Sequence, residues 1–155
     1  MSADDAARRH LAEQLGLAVE AIGLPRMAGR VLGWMLLAEN DEAALEDLAR
    51  DLGVSKASIS HATRLLEQLG VLRRVGRPGT RQAFFRLTED PWGALLAMEE
   101  RISRGFADFA REARRELAAE PRRDARLAEM EEAFELYLEL LGKFMREWKR
   151  QKGQS

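Results

Sequence analysis

LEDLARDLGVSKASISHATRLLEQLGVLRRVGRPGTRQAFFR, residues 45–86, is the stretch whose reading decides the fold. Leu45, Leu48 and Leu52 recur at helical spacing, and Ala49 leaves room for another backbone to approach. Gly53 stands where a helix ends in a left-handed residue, a conformation glycine adopts without steric cost. Val54 then plugs the corner, and Ser55 suits the N-cap of a second helix, its hydroxyl satisfying an otherwise orphan N–H. Ile59, Ala62, Leu66 and Leu69 give that helix an apolar stripe, with Thr63 partly buried beside it. Lys56, Ser60, His61, Arg64 and Gln68 lie opposite. Spacing tells more than composition here: Ala49, then Gly53 and Val54, then Ile59 and Ala62. Such a corner is that of a helix-turn-helix, whose second helix enters the DNA major groove. An ordinary packed helical hairpin is the alternative, and it leaves the next segment unexplained.

That segment reads as two strands, 71–75 and 82–87, rich in β-branched, aromatic and leucine residues and joined by a Gly-Arg-Pro-Gly-Thr-Arg turn. A hairpin directly after the second helix is the wing of a winged helix. Arg77 and Arg81 at its tip are placed to reach backbone phosphates or a narrow minor groove. An exposed loop with solvated arginines is the plainer reading. The flanking Arg73, Arg74 and Arg86 favour the first. The chain's net charge is −1, yet residues 55–86 hold seven basic residues against Glu67 alone, a local +6 that leaves −7 elsewhere. One face therefore attracts phosphate while the remainder is acidic.

Outward from this centre, residues 4–23 are predicted to form a helix striped by Leu11, Leu15, Ala18 and Ile22. Gly23-Leu24-Pro25 breaks it, and Pro25 suits the first turn of a second helix running to about Glu39. Val31, Leu32, Trp34, Met35, Leu36 and Leu37 make that helix apolar nearly all round, the buried centre of the domain. Gly29 and Gly33 inside it cost about 1 kcal/mol each relative to alanine, which close helix packing offsets. Asn40 and Asp41 are expected to end this helix and cap the next.

Beyond the wing, Asp90-Pro91 starts a long helix whose face carries Trp92, Leu95, Met98, Ile102, Phe106, Phe109, Ala113 and Leu117. Pro121 forces a break, and a last helix runs from about Arg122 to Lys149. Leu127, Met130, Phe134, Tyr137, Leu141, Phe144 and Trp148 follow in steps of three and four, a heptad seam widened by Leu138 and Met145. A stripe this long and aromatic wants a partner: a second copy, or the chain's own first helix. The dimer is favoured because modules of this kind pair two half-sites.

The composition, 155 residues with 46% hydrophobic, fits one domain, or a small domain plus an oligomerisation element. Without cysteine there are no disulfides, thiolate metal sites or cysteine redox chemistry. The start, MSADDAARRH, has no apolar run and no signal peptide, no stretch approaches a membrane span, and a cytoplasmic location is expected. His10 and His61 are the two histidines, and no phosphate loop, thiol or metal-ligand cluster accompanies them. No enzyme activity, cofactor or metal is expected.

The stretches at 23–40, 48–75 and 76–92 resemble the winged-helix regulators of the MarR superfamily, and most closely its GbsR-type branch of small-molecule-responsive repressors. They cover under half of the chain. The resemblance implies a homodimer with interleaved terminal helices, two recognition helices in successive major grooves, and repression altered by a small molecule, choline-like in that branch.

The expected architecture is mainly α with a small β-hairpin wing: 1–24 an N-terminal dimerisation helix, 25–90 the winged helix-turn-helix, 91–155 the C-terminal dimerisation helices. Double-stranded DNA is the expected partner, met by Ser55, Lys56, Ser58, Ser60, His61, Arg64, Arg73, Arg74, Arg77 and Arg81. Dimerisation falls to Leu11, Leu15, Leu127, Met130, Phe134, Tyr137, Leu141, Phe144 and Trp148. Rings are numerous enough for a cage around a quaternary ammonium, with Trp34 and Trp92 the two candidates; aromatic stripes are otherwise core. Two other functions fit the same pattern, a winged helix that docks protein and a nonspecific architectural DNA binder.

Overall fold

The computed structural model describes residues 3–117 and 120–153. Helix α1 (Ala3–Ala21) is followed by α2 (Arg26–Leu37), β1 (Glu42–Ala44), α3 (Leu45–Leu52), α4 (Lys56–Gln68), β2 (Leu72–Val75), β3 (Phe84–Leu87), α5 (Pro91–Leu117) and α6 (Pro121–Lys152). The chain divides into two compact units, one through Pro91 and the other from Trp92 onward. The mainly helical class with a small antiparallel sheet is as expected from the sequence.

In the first unit, α2 is the central helix, with Val31 wholly buried and Leu32, Trp34 and Met35 close to it. Its exit is less covered than its hydropathy suggests, because Leu36 and Leu37 are exposed. Crossing it, α1 presents small residues: a Cβ on Gly29 would sit 2.7 Å from the Leu15 carbonyl oxygen and 2.8 Å from the Gly16 Cα. One on Gly33 would sit 2.9 Å from the Ala12 Cα. The glycines thus let two backbones touch. The α1 face in that contact is Ala12 and Gly16 with Leu15 and Val19 at its margin. Leu11 and Ile22 of the expected stripe stand out from it, Ile22 being 74% exposed.

Leu48, Ile59, Val71 and Leu72 complete this core with no more than 2% of their surface exposed. Each such side chain contributes about 1.5–3 kcal/mol by leaving water. Gly53 takes φ +66° at the end of α3, and the Val54 N–H reaches back to the Ala49 carbonyl at 2.9 Å. Arg30 of α2 donates to the Leu52 carbonyl at 3.0 Å, satisfying another terminal acceptor. The corner is therefore closed from two sides.

Two expectations need correcting. Asn40 and Asp41 do not cap α3; Ala44 precedes it, with no side-chain hydrogen bond there. Between them lies β1, a strand the sequence did not suggest. It makes the wing three-stranded, in the order β1-β3-β2, pairing Glu42 with Arg86 and Ala44 with Phe84. The β2–β3 hairpin itself has the register Arg73 opposite Arg86 and Val75 opposite Phe84. Thr88 ties its base to the end of α4, the hydroxyl donating to the Gly70 carbonyl at 2.7 Å.

In the second unit, α5 and α6 run antiparallel. Phe106 stacks on Phe134 with ring centroids 4.8 Å apart. Arg114 bridges to Asp124 at 2.8 Å and Glu131 at 2.9 Å, while Arg111 reaches Glu131 and Glu135. Burial, with the Glu99 carboxylate adding to it, pushes the Tyr137 phenol above its ordinary range. Ser103, Ala107, Ala110 and Leu141 are buried between the helices. Phe109, Leu136, Leu140 and Phe144 are each more than half exposed. Among the described residues, no helix is long and apolar enough to cross a membrane.

Candidate nucleic-acid interface

Helix α4 projects one face away from the core. Ile59, Ala62, Thr63 and Leu66 are buried, and the Thr63 hydroxyl turns inward to the Ile59 carbonyl at 2.9 Å. Lys56, His61 and Arg64 are exposed, with Ser58 and Ser60 half-buried between them. The helix begins on the Ser55 cap, whose hydroxyl accepts from the Ser58 N–H at 3.2 Å and lies 2.9 Å from the Ser58 hydroxyl. No acidic residue occupies its first turn. A capped, acid-free helix N-terminus carries the partial positive charge that attracts phosphate.

The wing adds a second basic surface. Arg73 and Arg74 on β2 and Arg81 at the tip are exposed. Neither these three nor Arg64 has a carboxylate partner among the described residues. Arg73 faces Arg86 directly across the hairpin, and like charges so placed repel unless an anion joins them. Arg86 itself lies 3.5 Å from Asp41.

Two of the expected DNA contacts are engaged differently. Arg77 is braced: its guanidinium donates to Glu42 at 2.8 and 3.1 Å and lies over the Phe84 ring, 4.4 Å from the centroid. Lys56 is ion-paired with Glu46 of α3. Gln82, next to Arg81 at the tip end of the wing, also donates to Glu46, at 3.3 Å. Neither glutamate attracted notice in the sequence, because each lies before the basic stretch and Glu46 reads as an ordinary first-turn acid.

The two ring candidates belong to different units of the chain. Trp34 is 6% exposed in the core of the first unit. Trp92 belongs to the second, where with Leu95, Leu96, Phe144 and Trp148 it lines an apolar hollow of about 320 Å³. Among the described residues, no three histidine, aspartate or glutamate side chains gather as a metal site would require.

Residues 35–76, from the end of α2 through the first strand of the hairpin, match the IclR helix-turn-helix domain. The whole chain is similar to a transcriptional regulator of known crystal structure, with TM-score 0.81 and 30% identity over 93% of this chain and 99% of that one. It is also similar to AbsC, a MarR family transcriptional regulator from Streptomyces coelicolor, at 24% identity over 87% of this chain and 86% of that one. The TM-score there is 0.43, too loose a superposition to argue from. The HTH-type transcriptional regulator MmpR5 of Mycobacterium tuberculosis is 36% identical over 119 residues, 76% of this chain and 72% of that protein. The likeness to MmpR5, together with the capped corner and the wing, settles the class: the chain belongs to the family of HTH-type transcriptional regulators that includes MmpR5, a winged-helix DNA-binding regulator and not an enzyme.

Proposed function

We propose that the chain acts as a homodimeric, sequence-specific repressor of the MarR-like kind, reading two half-sites and answering to a small molecule. The observation that carries the reading is the pair of basic surfaces on one unit. Arg64 on α4 and Arg73, Arg74 and Arg81 on the wing are exposed and hold no carboxylate among the described residues, while the apolar side of the same helix is buried. Cations left without internal partners are available to phosphate. Ser60, His61 and Arg64 would face base edges, and Lys56 and the wing arginines the backbone. The division into residues 1–24, 25–90 and 91–155 serves this reading, with the outer two segments for dimerisation and the middle one for DNA.

Support for the dimer is the apolar surface that one chain leaves in water. On α1 and just past its end it includes Leu11, Leu17 and Ile22; on α5 and α6 it includes Phe109, Leu136 and Phe144. A monomer rarely leaves so many large apolar side chains uncovered. For the effector, the ring-lined hollow at Trp92, Phe144 and Trp148 supports a ligand held by aromatic faces, such as a choline-like ammonium of the GbsR-type branch. Trp34, being core, would respond to it only indirectly.

A gel shift comparing the protein's own promoter region with random duplex, alongside sedimentation of the free protein, tests the reading. A dimer that prefers the promoter supports it. Equal affinity for both duplexes leaves the architectural binder, and no binding leaves the protein-docking module. Choline and betaine titrated into the promoter complex should change its affinity and the tryptophan fluorescence; silence in both signals removes an ammonium effector.

A further inference from the structure

Glu46 stands between the start of α4 and the tip end of the wing, touching Lys56 on one and Gln82 on the other. Its Oε1 pairs with the Lys56 ammonium and its Oε2 accepts from the Gln82 amide at 3.3 Å. An ammonium and a side-chain amide converging on two oxygens make the donor set that a DNA phosphate takes. The acceptor here is the chain's own carboxylate. It is half-exposed, as is Lys56, so the pair can open without unpacking the core. We propose that Glu46 is a built-in competitor for backbone phosphate, which every duplex must displace from Lys56 and Gln82 before the recognition helix can seat. The proposal rests on the reading that this face meets DNA.

Arg77, another paired cation of the wing, shows what distinguishes this arrangement from bracing. Glu42 keeps 17% of its side chain exposed and grips Arg77 by two nitrogens, with Phe84 beneath the guanidinium. That carboxylate is covered and shapes the wing. Glu46 is open and touches both DNA-facing elements. Displacing it leaves an anion beside the incoming phosphates, which takes up a cation from solution. Fewer net ions are then released on binding than the contacts alone would free. Binding that relies on phosphate contacts without base readout is held weak by the same competition.

The test measures affinity for duplex DNA against salt for the full-length protein and for Glu46→Gln, with Glu39→Gln as a control of equal charge change and Arg64→Ala as a control on the face. Glu46→Gln should bind random and promoter duplex roughly 5-fold tighter per protomer, the equivalent of one exposed ion pair. Its log–log salt slope should steepen by about one per protomer. Glu39→Gln should change neither quantity by as much. Weaker binding at an unchanged slope makes Glu46 a brace for α4 and overturns the proposal. No change in either quantity takes Lys56 off the backbone and overturns it too. Arg64→Ala separates the levels: if it loses affinity while Glu46→Gln is silent, the DNA-facing reading stands and the competitor alone fails. If both are silent, the face itself is wrong. Should Glu46→Gln fail to fold, Glu46→Ser carries the same expectations.

Discussion

Where α1 crosses α2, Gly29 and Gly33 bring backbones within van der Waals reach, and the contact is finished inside one chain. Where α5 runs against α6, the helices are held apart by a stacked pair of phenylalanines and a lattice of arginine–carboxylate pairs. Small buried residues fill the α5–α6 seam, while Phe109 at 60% and Phe144 at 54% exposure face outward. The first pair is a closed packing problem and the second an open one. The winged helix belongs to the unit that is closed, and exposed apolar surface is concentrated on the other.

The largest effect follows from the closed pair. Gly29→Val would drive a branched side chain into the Leu15 carbonyl and the Gly16 Cα, which cannot retreat, and should cost about 3 kcal/mol of stability by urea unfolding. A loss below about 1 kcal/mol would mean that the two backbones are not in contact. Next comes the open pair. Phe109→Ala should weaken self-association by about 2 kcal/mol, roughly 30-fold in the dissociation constant by sedimentation, while thermal unfolding of the isolated protomer barely moves. An unchanged dissociation constant would place the dimer face elsewhere.

A smaller contrast lies within the wing. Arg81→Ala removes a cation with no internal partner and should weaken DNA binding several-fold while lowering the salt slope by about one. Arg77→Ala should also destabilise the wing, because Glu42 loses its partner and Phe84 its cover. Hydrogen exchange in β2 and β3 would rise for Arg77→Ala and not for Arg81→Ala. Smallest is Gly142→Ala, where the added methyl meets only the mobile end of Arg146 at 3.4 Å. Relief of a mid-helix glycine should raise stability by up to about 1 kcal/mol. A loss there would show that something packs against α6 at that point.

The corner was legible because its determinants are local. Gly53 must reach positive φ, Ser55 must cap, and Ile59, Ala62 and Leu66 must repeat at helical spacing, so each announces itself in a few neighbouring residues. The hairpin was legible from its Pro-Gly turn and its flanking β-formers. Strand β1 was not, since Glu42-Ala43-Ala44 holds no residue with strong strand preference. It is extended because β3 offers it an edge, a fact of tertiary structure. The glutamates that hold Lys56 and Arg77 stayed hidden for the same reason: each pairs with a residue ten or more positions away, across the fold. The inner face of α1 was not legible because alanine and glycine at helical spacing announce burial less loudly than leucine does, although only the small residues admit a second backbone.

The most direct test of the DNA-reading unit is the affinity of a variant with Arg64, Arg73, Arg74 and Arg81 all changed to alanine, measured on promoter duplex across a salt series. Circular dichroism would verify its fold. Loss of most binding together with collapse of the salt slope is the expected result, because these are the cations of the face that hold no carboxylate among the described residues. Wild-type affinity with an unaltered slope would contradict it, and would move nucleic acid away from the recognition helix and wing.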